Sequence, residues 1–185
     1  MKRTKLQLIS MIAVLVVGAF SVSSAMAATP ASGSQGRITK QVRHELVTLP
    51  YYGVFDNLGF KVEGSSVTLY GQVVRPVTRS DAQQRVGRIA GVSRVVNNIQ
   101  VLPLSSMDDS IRQRTYRAIA RTAGLNRYLM GTNPSIHIVV GHGQVTLEGV
   151  VSNNADRQLA YMAANQVPGV FAVKNNLRTD RELPS

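Results

Sequence analysis

The arginines of the segment 114–127, with the apolar residues that follow them, have the composition of a membrane-contact site. Arg114, Arg117 and Arg121 recur at intervals of three and four residues, which places them on one side of a helix. Guanidinium groups pair with phosphate oxygens, while aromatic and aliphatic side chains enter the headgroup region of a bilayer. The alternative is a solvated helix face whose following loop folds into the core. The pattern predicts contact with an anionic phospholipid membrane surface through Arg114, Arg117, Arg121, Arg127, Tyr128, Leu129 and Met130.

A second apolar cluster lies in the first half of the chain, in the segment Tyr51-Tyr52-Gly53-Val54-Phe55. Three roles fit this segment: insertion into a membrane, capture of an envelope protein, or closure of a contact between two parts of the chain. We expect the third role. The second would run through Tyr51, Tyr52 and Phe55 and would make the protein an interaction or chaperone-like adaptor.

The remaining polar residues do not form a recognisable catalytic or metal-binding pattern. The three histidines are scattered, and His137 and His142 fall on opposite sides of a predicted hairpin turn. The chain has no cysteine, and no carboxylate cluster completes a metal site. Asp108 and Asp109 are typical of a helix start, where the helix dipole favours negative charge. We therefore expect no enzyme activity, no metal and no cofactor.

The first 27 residues have the pattern of a signal peptide. Lys2, Arg3 and Lys5 precede an apolar run, and Ala25-Met26-Ala27 fits the A-x-A pattern of a cleavage site. Cleavage after Ala27 predicts a periplasmic protein or one outside the cell, and the alternative is an uncleaved membrane anchor. Export argues against a nucleic-acid partner. The segment carries three basic and no acidic residues, so its removal lowers the formal charge from +11 to +8. The mature chain stays strongly basic, which favours an anionic partner.

The chain carries the same unit twice. Val67 to Val73 (VTLYGQV) returns as Val145 to Val151 (VTLEGVV), 78 residues later. At the same offset Gly91-Val92 matches Gly169-Val170, and the ending Asn97-Asn98-Ile99 matches Asn175-Asn176-Leu177. We interpret the repeated glycines as positions where the backbone conformation or a close backbone approach requires glycine. We interpret the asparagine pairs as hydrogen-bond partners for local backbone groups.

Each unit has the order helix, strand, strand, helix, strand. In the first unit an apolar stripe from Ile38 to Leu49 predicts a helix that ends at Pro50. A hairpin around Glu63–Ser66, a helix over about 80–90 and a strand over 95–101 follow. In the second unit we expect a helix from Asp108 or Ser110 to about Thr122, a hairpin over 136–151, a helix over 154–166 and a strand over 171–177. The fold class is α+β, with a small three-stranded sheet and two helices in each unit.

This order, the V-T-L-x-G-x-V strand and the Gly-Val-x-x-Val-x-Asn-Asn-Ile/Leu ending, each present twice, resemble the BON domain family in its dual-BON form. The domains would cover residues 28–103 and 104–185. The resemblance implies a periplasmic module that binds phospholipid or supports the cell envelope under osmotic stress. Dual-BON lipoproteins begin with a lipidated cysteine, which this chain lacks. It is therefore more similar to the soluble osmotic-stress branch.

Overall fold

Each of the two units folds as a layer of helices packed on one sheet, and the two units have the same topology. The structure, a computed structural model, describes residues 31–182, so the predicted signal peptide lies outside the described residues. The first domain comprises α1 (Ala31–Val47), β1 (Asn57–Glu63), β2 (Ser66–Val73), α2 (Pro76–Gly87) and β3 (Arg94–Val101). The second comprises α3 (Ser106–Arg121), a 3-10 turn (Asn126–Tyr128), β4 (Ile136–Gly141), β5 (Gln144–Val151), α4 (Asn154–Asn165), β6 (Ala172–Asn175), β7 (Arg178–Thr179) and a 3-10 turn (Asp180–Glu182).

In each sheet the repeated V-T-L strand lies in the centre. β2 pairs antiparallel with β1 and parallel with β3, and β5 pairs in the same way with β4 and β6. The parallel pairing requires a crossover, which α2 and α4 provide. β7 adds a two-residue pairing to β5 where β3 runs on without interruption. The α+β prediction is confirmed, with this fourth short strand as an addition to the second sheet.

Each domain has its own hydrophobic core between its helices and one face of its sheet. In the first domain Val42 and Leu46 of α1 pack with Leu69 of β2 and Val86 of α2. The second core has the same plan, with the following buried residues: Ile111, Ile119, Ile138, Leu147, Ala160 and Ala164. The strand burial alternates along β2 and β5, since one face of each sheet is turned away from the helices.

Two predicted helix starts were wrong by a few residues. We expected the second helix to begin near Ser80, but α2 begins at Pro76, because proline at the first turn has a preset φ and needs no hydrogen bond there. We expected the third helix to begin at Asp108 or Ser110. Instead the hydroxyl of Ser105 accepts a hydrogen bond from the Asp108 N–H at 3.1 Å and caps α3.

The repeated motif residues have the structural roles expected of them. Gly71 and Gly149 both have φ of 117° and lie against the carbonyl oxygens of Asn57 and Ser135. Asn97 donates to the Arg79 carbonyl at 3.1 Å and accepts from the Ile99 N–H at 3.1 Å. Asn175 makes the same two bonds in the second domain, to Arg157 and Leu177. These asparagines therefore hold the closing strand to the preceding helix.

Candidate functional site

Three of the predicted lipid-binding residues lie together in a basic cleft on the second domain. Arg114, Arg117 and Arg121 are exposed on α3, opposite its buried residues Ile111, Thr115 and Ile119. They line an open cleft of about 390 Å³ between α3 and the end of α4. The other lining residues are Ala118, Thr122, Ala163, Gln166, Val167 and Pro168. We call this surface the basic cleft.

The charge of the basic cleft is not neutralised by any carboxylate of the described residues. Arg114 donates a hydrogen bond from Nη1 to the Pro168 carbonyl at 3.0 Å, and Arg117 donates from Nε to the Gln113 carbonyl at 3.1 Å. Among the described residues, none of the three arginines forms an ion pair with a carboxylate. Both bonded guanidinium groups keep further N–H donors for an external anion. The cleft can therefore bind phosphate or carboxylate oxygens.

The corresponding cleft of the first domain is electrostatically different. It lies between α1 and α2 and is lined by Lys40, Gln41, His44, Glu45, Arg85, Arg88, Ile89 and Ala90. Here Glu45 approaches Arg85 at 3.5 Å across the cleft. In the second domain the residue equivalent to Arg85, 78 positions later, is Ala163. The lining of the second cleft contains no carboxylate. Of the two clefts, the second is thus the one whose lining contains cations and no carboxylate.

The structure separates Arg127, Tyr128 and Leu129 from this cleft, and it corrects the prediction that Tyr128 and Leu129 belong to an exposed apolar segment beside Arg127. Tyr128 and Leu129 are each only 6% exposed and belong to the second hydrophobic core. The Tyr128 hydroxyl donates to Asp156 at 2.6 Å and accepts from the Ser152 N–H at 3.0 Å. Arg127 pairs with Asp156 at 2.6 Å, and its guanidinium lies over the Tyr128 ring.

The physical reason is that the loop must close the core beside the first turn of α4. The carboxylate of Asp156 is nearly buried there and needs these donors. Met130, the last member of the predicted set, is exposed, but it follows this buried turn and does not line the cleft. The cleft thus retains three of the seven predicted lipid-binding residues.

The segment Tyr51 to Phe55 closes the contact between the domains, as expected. The Ile138 N–H of β4 donates to the Val54 carbonyl at 2.7 Å, and Val54 and Phe55 pack against the second core. The Phe55 and Tyr116 rings meet edge to face at 6.3 Å. Tyr51 stays half exposed, with the Arg75 guanidinium over its ring. Of the three residues that a partner protein would use, Tyr52 and Phe55 instead make most of their contacts within the chain.

Two buried ionisable groups, His137 and Asp56, and the partly buried Tyr52 lie at this contact. His137 approaches the Gly53 carbonyl with Nδ1 at 3.3 Å and the Tyr52 hydroxyl with Nε2 at 3.5 Å. Burial lowers the pKa of His137 and raises the pKa of Tyr52 to about 12. Burial also raises the pKa of Asp56, although hydrogen bonds from Val74 and Gly53 and the nearby cations oppose the shift.

One of those cations is Arg112, a buried residue that our sequence reasoning missed. It pairs with Asp109, and its Nη2 donates to the Val140 carbonyl of β4 at 2.6 Å. Its Nε is buried without a hydrogen-bond partner. The available signal was the three-residue spacing of Asp109 and Arg112 on a helix, which favours an ion pair. Arg112 thus helps to hold α3 to the edge of the sheet.

Within residues 31–182, no group of three or more histidine, aspartate or glutamate side chains is arranged to hold a metal ion. In the same described range, no helix has the length and hydrophobicity required to cross a membrane.

Comparison with known proteins gives one strong match. The profile of the BON domain matches residues 34–103 and again residues 107–181. No curated protein matches the chain. Two solved structures of CdsD, a structural protein of the type III secretion system of Chlamydia trachomatis, are 13% identical with a TM-score of 0.27. They cover 79% and 78% of this chain and 94% and 96% of their own, and the second is the C-terminal domain of CdsD.

The TM-score of the CdsD structures is too low to support any inference. The double profile match, by contrast, spans most of the chain and agrees with the repeated topology of the two sheets. The chain therefore belongs to the BON domain family and carries two BON domains in tandem.

Proposed function

We propose that the protein is an exported, non-catalytic envelope protein that binds anionic phospholipid through the basic cleft of its second domain. The observation that carries the proposal is the contrast between the two clefts. The second presents Arg114, Arg117 and Arg121 without a carboxylate, whereas the first contains the Glu45–Arg85 pair. BON domains are associated with the cell envelope and with phospholipid binding, which agrees with this charge distribution.

The expected affinity follows from the number of arginines. A basic residue near an anionic membrane surface contributes about 1 kcal/mol, so three contribute at most about 3 kcal/mol. Such binding is weak and is screened at high salt, because the Debye length falls to about 3 Å at 1 M ionic strength. Lipid binding through the cleft should therefore be reversible and sensitive to salt.

The proposed location rests on the sequence of residues 1–27. A basic start, an apolar run and the A-x-A pattern favour export and cleavage after Ala27. In the periplasm the mature protein would meet phospholipid headgroups directly. A role in envelope integrity or osmotic-stress tolerance follows from the family and from this location.

The direct test is co-sedimentation of the chain from Ala28 with vesicles of phosphatidylglycerol and phosphatidylcholine, or of phosphatidylcholine alone, at low and high salt. We expect pelleting only with the anionic vesicles and release by salt. The combined variant Arg114→Glu, Arg117→Glu and Arg121→Glu should lose binding, since the phosphate-facing cations are reversed. Its thermal transition should remain, because all three side chains are exposed.

The matched control reverses three exposed basic residues of the first domain, Lys40, Arg43 and Arg88, each to glutamate. It changes the net charge by the same amount as the cleft variant and should keep most of the binding. Equal loss in both variants would show that binding follows net charge alone. Binding that survives reversal of the cleft would contradict the proposed function.

A further inference from the structure

One end of the second domain exposes large apolar side chains that the core does not use. Phe171 is 88% exposed, Met107 is 64% exposed, and Leu104 in the segment before α3 is 95% exposed. Isolated exposed hydrophobic residues are ordinary on protein surfaces, but a group of them beside a functional site marks a contact surface.

Hydrogen bonds tie Phe171 and Asp108, the residue after Met107, to the same hairpin turn, His142-Gly143. The Phe171 N–H donates to the Gly143 carbonyl at 2.8 Å. The carboxylate of Asp108, the residue after Met107, accepts the N–H groups of His142 at 3.0 Å and Gly143 at 2.8 Å. The two apolar residues therefore flank one turn. We call Met107, the turn and Phe171 the apolar tip.

The fold itself does not require these apolar residues. In the first domain Ser93 occupies the position of Phe171, and its N–H donates to the Ser65 carbonyl at 2.9 Å in the same arrangement. Ile38 lies nearest Gly91 as Ile111 lies nearest Gly169, and this equivalence places Ser34 at the position of Met107. The first domain thus makes the equivalent hydrogen bond to its hairpin connection with serine at both positions.

The apolar tip is continuous with the basic cleft. Pro168, whose carbonyl holds Arg114, is only three residues from Phe171, and Met107 lies two turns before Arg114 on α3. With a rise of 1.5 Å per residue, Arg114 lies about 10 Å from the Met107 level and Arg121 about 21 Å. The two acidic groups near the tip have partners within the protein, since Asp108 accepts hydrogen bonds from the turn and Asp109 pairs with Arg112.

We propose that Phe171 and Met107 insert into an anionic phospholipid leaflet, with the axis of α3 steeply inclined to the membrane plane. This proposal rests on the proposed function. Apolar side chains of interfacial proteins reach about 5–10 Å into the boundary between headgroups and acyl chains. This depth brings Arg114 to the level of the phosphates and leaves Arg121 above them. The apolar component predicted at Tyr128 and Leu129 is thus supplied by a different part of the second domain.

The chain contains no tryptophan, so Phe171→Trp creates a single fluorescent reporter. On binding to phosphatidylglycerol vesicles its emission should shift to shorter wavelength, and lipids brominated on the acyl chains should quench it. Tyr70→Trp is the matched control, because Tyr70 is an exposed aromatic residue of the first domain. Its emission should not be quenched by the same lipids.

Three further variants test the tip and the orientation by co-sedimentation. Phe171→Ser, which restores the first-domain residue, should weaken binding on the order of tenfold, the effect of losing a buried aromatic group. Arg114→Ala should weaken binding clearly more than Arg121→Ala. Wild-type pelleting without quenching at position 171, or equal effects of the two arginine variants, would overturn the insertion but leave the proposed function standing.

Loss of all pelleting, including that of the wild type, would overturn both proposals. A second copy of the chain is the competing occupant of the tip. In that case size-exclusion chromatography without lipid would show a dimer that Phe171→Ser converts to a monomer, and this result would also overturn the insertion.

Discussion

The N–H that follows the central strand shows how the two domains meet one structural requirement with different side chains. In the first domain the Val74 N–H donates to Asp56 at 2.8 Å. In the second the equivalent Ser152 N–H donates to the Tyr128 hydroxyl at 3.0 Å, and that hydroxyl is bound in turn to Asp156. The residue that we expected at a membrane is therefore a structural hydrogen-bonding group.

Tyr128→Phe should accordingly lower the free energy of unfolding by about 1–3 kcal/mol, because it leaves the Ser152 N–H and Asp156 without their partner. Urea unfolding followed by circular dichroism measures this loss. Tyr70→Phe removes a hydroxyl from an exposed ring and should change stability by less than about 0.5 kcal/mol. A Tyr128→Phe protein as stable as the wild type would show that the hydroxyl is not required.

At the residue scale, the sequence predicts helical positions better than loop positions. Arg114, Arg117 and Arg121 could be assigned to one exposed face because helical periodicity relates their positions. Tyr128 and Leu129 lie in a loop without a period, so their burial could not be read from spacing. Only the tertiary position of Asp156 explains why that loop turns inward.

At the scale of elements, the glycine of each central strand fixes where the hairpin partner enters. Gly149 has a φ of 117°, and a Cβ there would lie 2.0 Å from the Ser135 carbonyl oxygen. Gly71 has the same φ and the same distance to Asn57. The repetition of one strained geometry explains why the glycine recurs at the same place in both V-T-L-x-G-x-V strands.

Gly149→Ala should therefore lower the free energy of unfolding by more than about 2 kcal/mol, from backbone strain and from the clash with Ser135. Gly36→Ala is a control of opposite sign. Gly36 lies in α1 with nothing within 4 Å of the added methyl group, so the change should stabilise the protein by up to about 1 kcal/mol. Thermal unfolding of both variants measures the difference, and a neutral Gly149→Ala would contradict the close approach.

The order and type of the elements could be predicted because the repeat provides each pattern twice. The starts of α2 and α3 could not, since several capping residues compete near each start. Pro76 and Ser105 prevailed over Ser80 and Asp108. The interruption between β6 and β7 also has no separate signal, because Asn175-Asn176-Leu177 matches a continuous strand in the first domain.

At the scale of the whole molecule, the contact between the domains should depend on pH through His137. Burial lowers the pKa of His137 in the folded protein below its ordinary value near 6.5. The unfolded chain then binds more protons than the folded one in this range, so stability rises with pH. The contribution is fully present above about pH 6.5 and is lost as the pH falls through the folded pKa.

His137→Asn should reduce this dependence, since asparagine keeps a donor for the Gly53 carbonyl but does not titrate. The measurement is the urea midpoint between pH 7 and pH 5. His142→Asn, at an exposed position whose φ of 54° asparagine tolerates, should keep the wild-type slope. Equal slopes for His137→Asn and wild type would contradict the assignment of the pH dependence to His137.

The raised pKa of Asp56 acts with opposite sign. Its contribution to stability is present below about pH 3.8 and is lost as the pH rises through its folded pKa.

The sequence indicated which segment of the first domain makes the contact with the second, because Tyr51 to Phe55 is apolar without belonging to a helix or strand pattern. It did not indicate the partner surface on β4. His137 and Arg112 became interpretable only once their distances to Tyr52, Gly53 and Val140 were known.

The hydrogen bond from Ile138 to the Val54 carbonyl has a consequence for the order in which the chain is made. β4 is an edge strand, and an unpaired edge is a template for pairing with other chains. The segment that covers it belongs to the first domain, and N-terminal domains are synthesised and fold first. The segment that pairs with the β4 edge is therefore folded before β4 is synthesised. A permuted chain that began with the second domain would leave β4 exposed until synthesis was complete.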